Sequence, residues 1–148
     1  MRLYLDVCCL NRPFDDPKQE RVRLEAEAVS AIVARCRTRA WRLISSEAVV
    51  YEIAQTPDPQ RRALLLALVA GAAEVVPLTA AALRSARDLQ GAGLHRLDAL
   101  HLALAAAGRA EVFLTTDRRI LKLAGRLPQE GFPALRNPLA WLLEVAPR

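Results

Sequence analysis

Apolar residues along this chain follow two rhythms. Short β-prone runs stand at Leu3 to Cys9, Trp41 to Ile44, Glu74 to Val76 and Val112-Phe113-Leu114. The first is followed by the break Asn11-Arg12-Pro13, which suits a buried parallel strand ending in a loop. Between the strands the rhythm turns helical: Leu24, Ala28, Val29, Ile32, Val33 and Cys36 recur at the spacing of one helix face, with arginines and glutamates between them. That helix is expected to begin at Asp16-Pro17 and run to about Thr38. Asp16 would supply the capping oxygen, Pro17 would take the first position, where no N–H is needed, and Gln19 stands where a capping box wants it.

The other helices announce themselves by their ends. Ser45 or Ser46 caps a short one carrying Glu47, Val50, Glu52 and Ile53, which Thr56-Pro57-Asp58-Pro59 terminates. Asp58 caps the next, Pro59 to about Ala70, and Gly71 ends it; Thr79 opens another that stops at Gly91-Ala92-Gly93. A helix from His95 to Gly108 carries Leu97-Asp98-Ala99-Leu100-His101, and the turn Thr115-Thr116-Asp117 leads into a last basic helix. After Asn137-Pro138, a short amphipathic helix is anchored by Leu139, Trp141 and Leu142. Strands alternating with helices imply parallel pairing through right-handed crossovers. The expected fold is therefore α/β, a three-layer α/β/α sandwich around a mainly parallel sheet, in one domain spanning 1–148. Ligands of such sheets bind at the carboxyl ends of the strands.

Composition narrows the class. The 148 residues are 53% hydrophobic and 25% charged, with 9 prolines and 6 glycines, so order is expected up to the last few residues. Met1-Arg2-Leu3-Tyr4-Leu5 meets Asp6 too early for the apolar core of a signal peptide. The longest apolar stretches, such as Ala63 to Ala73, fall short of the roughly 20 residues that cross a bilayer, so a cytoplasmic protein is expected. Cys8, Cys9 and Cys36 fit neither a disulfide framework nor a zinc site and read as buried thiols. A phosphatase-type cysteine loop needs an arginine six residues on, where Cys8 has Phe14 and Cys9 has Asp15.

The net charge is +5 from 21 basic and 16 acidic residues. If four acids are set aside as ligands, 12 remain against the 21 basic residues, a balance of +9: a cationic frame around an anionic pocket, suited to a polyanion that meets metal at its centre. The four acids are Asp6 and Asp117, at or just past the ends of apolar strands, and Glu52 and Asp98, on helices able to reach the same edge. Bare carboxylates so gathered repel and raise one another's pKa. Hard oxygen donors of this kind suit Mg²⁺ or Mn²⁺.

Leu5-Asp6, then Ser46 followed six residues on by Glu52, then Leu97-Asp98-Ala99-Leu100 on an Ala-rich helix, then Phe113-Leu114-Thr115-Thr116-Asp117, resembles the pattern of PIN domains. The likeness is greatest to the VapC-type toxins of toxin–antitoxin pairs and extends from about Leu3 to Leu121; Asn137-Pro138 ahead of an apolar helix is also similar to members of this family. Two features depart from it. Val7 stands where many relatives have Thr or Ser, and the segment Cys8 to Asp16 is more elaborate than the usual loop.

The resemblance implies an endoribonuclease in which Asp6, Glu52, Asp98 and Asp117 hold one or two Mg²⁺ or Mn²⁺ ions and an activated water attacks phosphorus in line. It also implies a small antitoxin whose apolar helix covers a groove near the first helices, and a homodimer. Each residue has a plainer reading: a turn carboxylate for Asp6, a helix-start acid for Asp98, a helix cap for Asp117, and Glu47 in place of Glu52. Thr115 stands either behind a ligand carboxylate or as a satisfied strand-end hydroxyl. His101 either faces the site or phosphate, or packs in the core. Arg12, Arg118 and Arg119 are candidates for phosphate contact, against a solvated basic surface; Asp15 and Asp16 belong to the loop and helix cap. A PIN fold that has lost catalysis and binds nucleic acid or protein is the rival class. A haloacid-dehalogenase-type phosphatase is disfavoured, because it needs a second Asp where Cys8 stands and a lysine found only at Lys18 and Lys122.

Overall fold

Five parallel strands form one sheet in the order β3-β2-β1-β4-β5. They are β1 (Arg2–Leu5), β2 (Arg42–Ser46), β3 (Glu74–Val76), β4 (Val112–Leu114) and β5 (Ala134–Arg136). The computed structural model describes residues 1–146; the expectation for the last few residues falls partly on 147 and 148, which lie outside the described residues. Among the described residues, eight α-helices join the strands or follow them: α1 (Val7–Asn11), α2 (Glu20–Arg37), α3 (Glu47–Ala54), α4 (Pro59–Ala70), α5 (Ala80–Gly91), α6 (Arg96–Ala107), α7 (Arg118–Leu123) and α8 (Pro138–Val145). Helices α2 and α8 pack together, as do α5 and α6, and β2 touches both α2 and α6. This is the α/β sandwich with helices as outer layers.

The centre of the sheet is apolar on both faces, as all-parallel sheets require. Leu3, Tyr4, Leu5, Ile44, Phe113 and Leu114 are buried to 1% exposure or less. The chain adds β2 and β3 on one side of β1, then returns to add β4 and β5 on the other. The strand order therefore reverses between β1 and β4, the place where an open α/β sheet leaves a crevice at its carboxyl edge.

Several boundaries differ from the sequence reading, each for a local reason. The first strand ends at Leu5 rather than Cys9, because Asp6 accepts a hydrogen bond from the Cys9 N–H and so starts α1. The second helix starts at Glu20 rather than Pro17: Asp16 accepts from the Lys18 N–H two residues on, closing a turn instead of capping a helix. The second strand lies at Arg42–Ser46, and it is Ser46, not Ser45, that caps α3 by accepting from the Val49 N–H. Strand β5 was not anticipated; it pairs with β4 through only three residues of an otherwise irregular stretch. Asp58, Thr79 and Asn137 cap α4, α5 and α8 through their side chains.

Among the described residues no helix is long and apolar enough to cross a membrane.

Candidate active site

Asp6, Thr115 and Asp117 meet at the crevice because β1 and β4 run side by side. The β1–β4 ladder pairs Leu5 with Leu114, and the Asp6 N–H continues it by donating to the Leu114 carbonyl at 3.2 Å. Asp6 is 6% exposed. Its Oδ1 accepts from the Cys9 N–H at 3.0 Å and from the Cys8 thiol at 2.9 Å. Burial, and next the neighbouring Cys8, push its pKa well above the ordinary carboxylate value, while the Thr115 hydroxyl works in the opposite sense. Cys8, a polar neighbour the sequence reading left out, thus stands beside Asp6 where Val7 offers no hydroxyl.

Thr115 is fully buried, and its Oγ1 accepts from the Asp117 N–H at 3.0 Å. Asp117 in turn caps α7 by accepting from the Arg119 and Ile120 N–H groups. Its Oδ2 faces the Arg119 guanidinium at 3.3 Å, and that same guanidinium nitrogen lies 2.9 Å from Asp98 Oδ2. Asp98 occupies the first turn of α6. Desolvation, then repulsion from Asp117, raise its pKa to about 6, and the charge of Glu52 adds to the rise. His101 works in the opposite sense, and the half-exposed Arg119 is the ion-pair partner.

Glu52 reaches the group from α3, and its Oε1 accepts from His101 Nε2 at 3.0 Å. Glu47, the alternative, points elsewhere: its Oε1 accepts from the Leu78 N–H beyond β3. Tyr4 lies behind both Asp6 and Glu52; burial raises its pKa, and the charges of these two acids add to the rise. Glu52 is thus linked electrostatically to Asp6 through Tyr4 and directly to Asp98, which also feels Asp117. Among the described residues, however, no three metal-ligating side chains close to ligand distance of one point.

Of the other candidates, Arg118 is exposed at the start of α7 without an acidic partner among the described residues. His101 is only 2% exposed and is held from both ring nitrogens, so it is placed against Glu52 rather than open to a phosphate. Arg12 is a correction. Its guanidinium binds Asp15 at 3.1 Å and the buried Glu25 at 3.0 Å, and its side chain is 16% exposed, so it ties the loop after β1 to α2 rather than standing ready for a phosphate. Glu25 takes a further hydrogen bond from Asn137, and Arg61 joins the same loop through Asn11 and Asp15. Asp15 is thus a loop ion-pair partner and Asp16 a turn acceptor. Sequence periodicity placed Leu24 in the buried stripe of α2 and missed Glu25, because a charge fits there only with partners distant in the chain.

A four-carboxylate donor set is all hard oxygen, which fits a divalent cation such as Mg²⁺ or Mn²⁺. Burial is the larger cause of the upward shift at Asp98; a cation would relieve the part that comes from repulsion by Asp117 and Glu52, and Arg119 already places positive charge between two of the acids.

A sheet of this order with acids at its crevice defines a known class. The family model of the PIN domain matches residues 3–126, and the chain belongs to that family. Among solved structures it is similar to a chain of the crystal structure of VapBC2 from Rickettsia felis bound to a DNA fragment from their promoter. That likeness has a TM-score of 0.58 at 14% identity and covers 93% of this chain and 98% of the other, a likeness of fold. No curated protein matches the sequence significantly.

Proposed function

We propose that the protein is a divalent-metal-dependent endoribonuclease, acting in the cytoplasm as the toxin of a toxin–antitoxin pair. The observation that supports this reading is that Asp98 feels the charges of both Asp117 and Glu52 and shares Arg119 with Asp117, beside Asp6 at the crevice where strand order reverses. In this reading the four carboxylates hold one or two Mg²⁺ or Mn²⁺ ions. When bound, the metal would supply charge neutralisation at the phosphate and lower the pKa of a water so that hydroxide is available as the nucleophile.

The chain's own residues do the rest. Thr115 anchors the Asp117 turn, so that one carboxylate oxygen caps α7 while the other faces the crevice. The Cys8 thiol and the Cys9 N–H fix the Asp6 carboxylate. Exposed Arg118 and Arg119 present positive charge at the rim, where an RNA backbone would lie.

The antitoxin reading is supported by an apolar groove of about 320 Å³ between α2 and α4, lined by Phe14, Val29, Val33, Leu64 and Leu68. Leu64 is 49% exposed, an apolar side chain that a partner helix would cover. A second apolar hollow between α3, α5 and α6, with Tyr51, Leu78, Leu83 and Leu97 at its surface, suits a homodimer contact.

The test is cleavage of a panel of structured RNAs with Mg²⁺ by the wild type, Asp6→Ala and Asp98→Ala. Cleavage by the wild type alone supports the proposal. Equal products from all three mean a contaminant, and no cleavage by any favours a PIN fold that binds without cutting.

A further inference from the structure

We infer that His101, backed by Tyr4 and Ser46, is a positioning residue that aims Glu52 into the crevice; this rests on the metal-site reading of Glu52. Four elements contribute to one line of hydrogen bonds: Ser46 at the end of β2, Tyr4 in β1, His101 in α6 and Glu52 in α3. Ser46 Oγ lies 2.7 Å from the Tyr4 hydroxyl, which lies 2.7 Å from His101 Nδ1, and His101 Nε2 lies 3.0 Å from Glu52 Oε1. Ser46, Tyr4 and His101 are all at least 98% buried.

The polarity of this line follows from counting protons. The Val49 N–H donates to Ser46 Oγ, so the Ser46 hydroxyl is free to donate its own proton to the Tyr4 oxygen. Tyr4, kept protonated by burial, then donates to Nδ1 of His101. That leaves the ring proton on Nε2, where it donates to the Glu52 carboxylate. Reversed, a neutral His101 would turn an Nε2 lone pair toward a carboxylate oxygen, and the Ser46 hydroxyl would lose its acceptor. Only one direction satisfies every group, so the line defines one tautomer and one ring orientation.

The burial pattern argues that the line serves its outer end. Tyr4 stacks on Phe113 with ring centroids 5.2 Å apart and planes inclined by 12°. A phenylalanine would keep that stack without needing a partner for a hydroxyl. Three buried polar groups instead lead outward to an acid whose side chain is 33% exposed, and whose Oε2 has no hydrogen-bond partner among the described residues. One oxygen is held and the other is presented to the crevice, the arrangement by which hydrogen-bond partners orient a ligand carboxylate.

The experiment uses Mn²⁺ alone as probe, with calorimetry for affinity and ¹⁵N-resolved NMR for the His101 tautomer. The wild type is expected to show the Nε2–H form. Mn²⁺ affinity is expected to fall about tenfold in His101→Leu and at least threefold in Tyr4→Phe. His101→Gln, which keeps an N–H near Glu52, is expected to stay within about twofold of the wild type. Should His101→Leu fail to fold, Tyr4→Phe decides, since it removes one oxygen and leaves the stack. Unchanged affinity in folded His101→Leu or Tyr4→Phe overturns the inference, as does an Nδ1–H tautomer in the wild type. If the wild type binds no Mn²⁺, the metal-site reading falls on its own account. The metal-free tautomer then decides the relay: Nε2–H that becomes a mixture in Tyr4→Phe supports it, and no change overturns it.

Discussion

Asp98→Asn is expected to make the metal-free protein more stable at neutral pH, and the size of the gain follows from the crevice. Burial and the Asp117 charge move the Asp98 pKa from 3.8 to about 6, roughly 2 units. At ~1.36 kcal/mol per unit, charging this carboxyl in the folded state costs at most about 3 kcal/mol more than in the unfolded chain. The side chain is 24% exposed and pairs with a half-exposed arginine. The first turn of α6 also favours negative charge. Solvent screening and these contacts reduce the gain on neutralisation to about 1–2 kcal/mol. The sign follows from linkage. The folded pKa is raised, so the stability this group contributes is full below pH 4 and is lost as pH rises through about 6. Urea unfolding in EDTA should therefore show Asp98→Asn ahead of the wild type at pH 7.5 and level with it at pH 4. Saturating Mn²⁺ should reverse the order at pH 7.5, because a ligand at 100 times its Kd adds about 2.7 kcal/mol to the form that binds it. An Asn variant less stable than the wild type in EDTA, or an offset equal at both pH values, would refute the reasoning.

Three further substitutions probe the frame around the site. Gly108→Ala should destabilise by about 1–3 kcal/mol in thermal unfolding, since a Cβ there would lie 2.6 Å from Val76 Cγ2 and 2.8 Å from Ile44 Cγ2; an unchanged Tm would mean that β2 and β3 yield more easily than their packing implies. Arg39 ends α2 at φ 64°, where its N–H and that of Ala40 close the helix onto Cys36 and Arg35. Glycine has no left-handed penalty there, so Arg39→Gly should stabilise by about 0.5 kcal/mol after the entropy of the freer unfolded chain is counted, and a loss in urea unfolding would contradict it. Arg12→Ala should cost about 3 kcal/mol by leaving Glu25, 2% exposed, short of its closest cation, while RNA binding by the folded fraction stays unchanged; a selective loss of RNA affinity would return Arg12 to the site.

Much of the fold was legible because the relevant signals are local. Capping oxygens at Ser46, Asp58, Thr79, Asp117 and Asn137 sit within three residues of the N–H groups they bind, so the sequence displays both partners. The misreadings arise where two local signals compete. Asp6 follows an apolar run that could continue as strand, yet its carboxylate claims the Cys9 N–H and bends the chain into α1. Asp16 carries the same kind of oxygen and uses it for a turn two residues long. Strand β5 is three residues held by pairing with β4, and that pairing is invisible in Ala134-Leu135-Arg136 taken alone. The same limit governs the site. The four acids stand out as carboxylates beside apolar runs, and Cys8 lies only two residues from Asp6 but carries no motif that marks it, whereas Arg119 beside Asp98 and Tyr4 behind His101 depend on contacts across the chain.

The partners of the four candidate acids also account for how the fold carries their charge. Each acid is managed by a different device. Asp6 is buried against a thiol and an N–H, Glu52 is held by a histidine, and Asp117 is used as a helix cap. Asp98 pairs with the half-exposed Arg119, and its pKa is still raised, by burial first and by the Asp117 charge next. Arg119 is the partner that water can most readily replace, since its long side chain is 46% exposed. A divalent cation offers Asp98 and Asp117 more charge than one guanidinium supplies, so its arrival would release Arg119 at the crevice rim. In the proposed function, the residue that pairs with Asp98 and Asp117 would then be free to meet a phosphate.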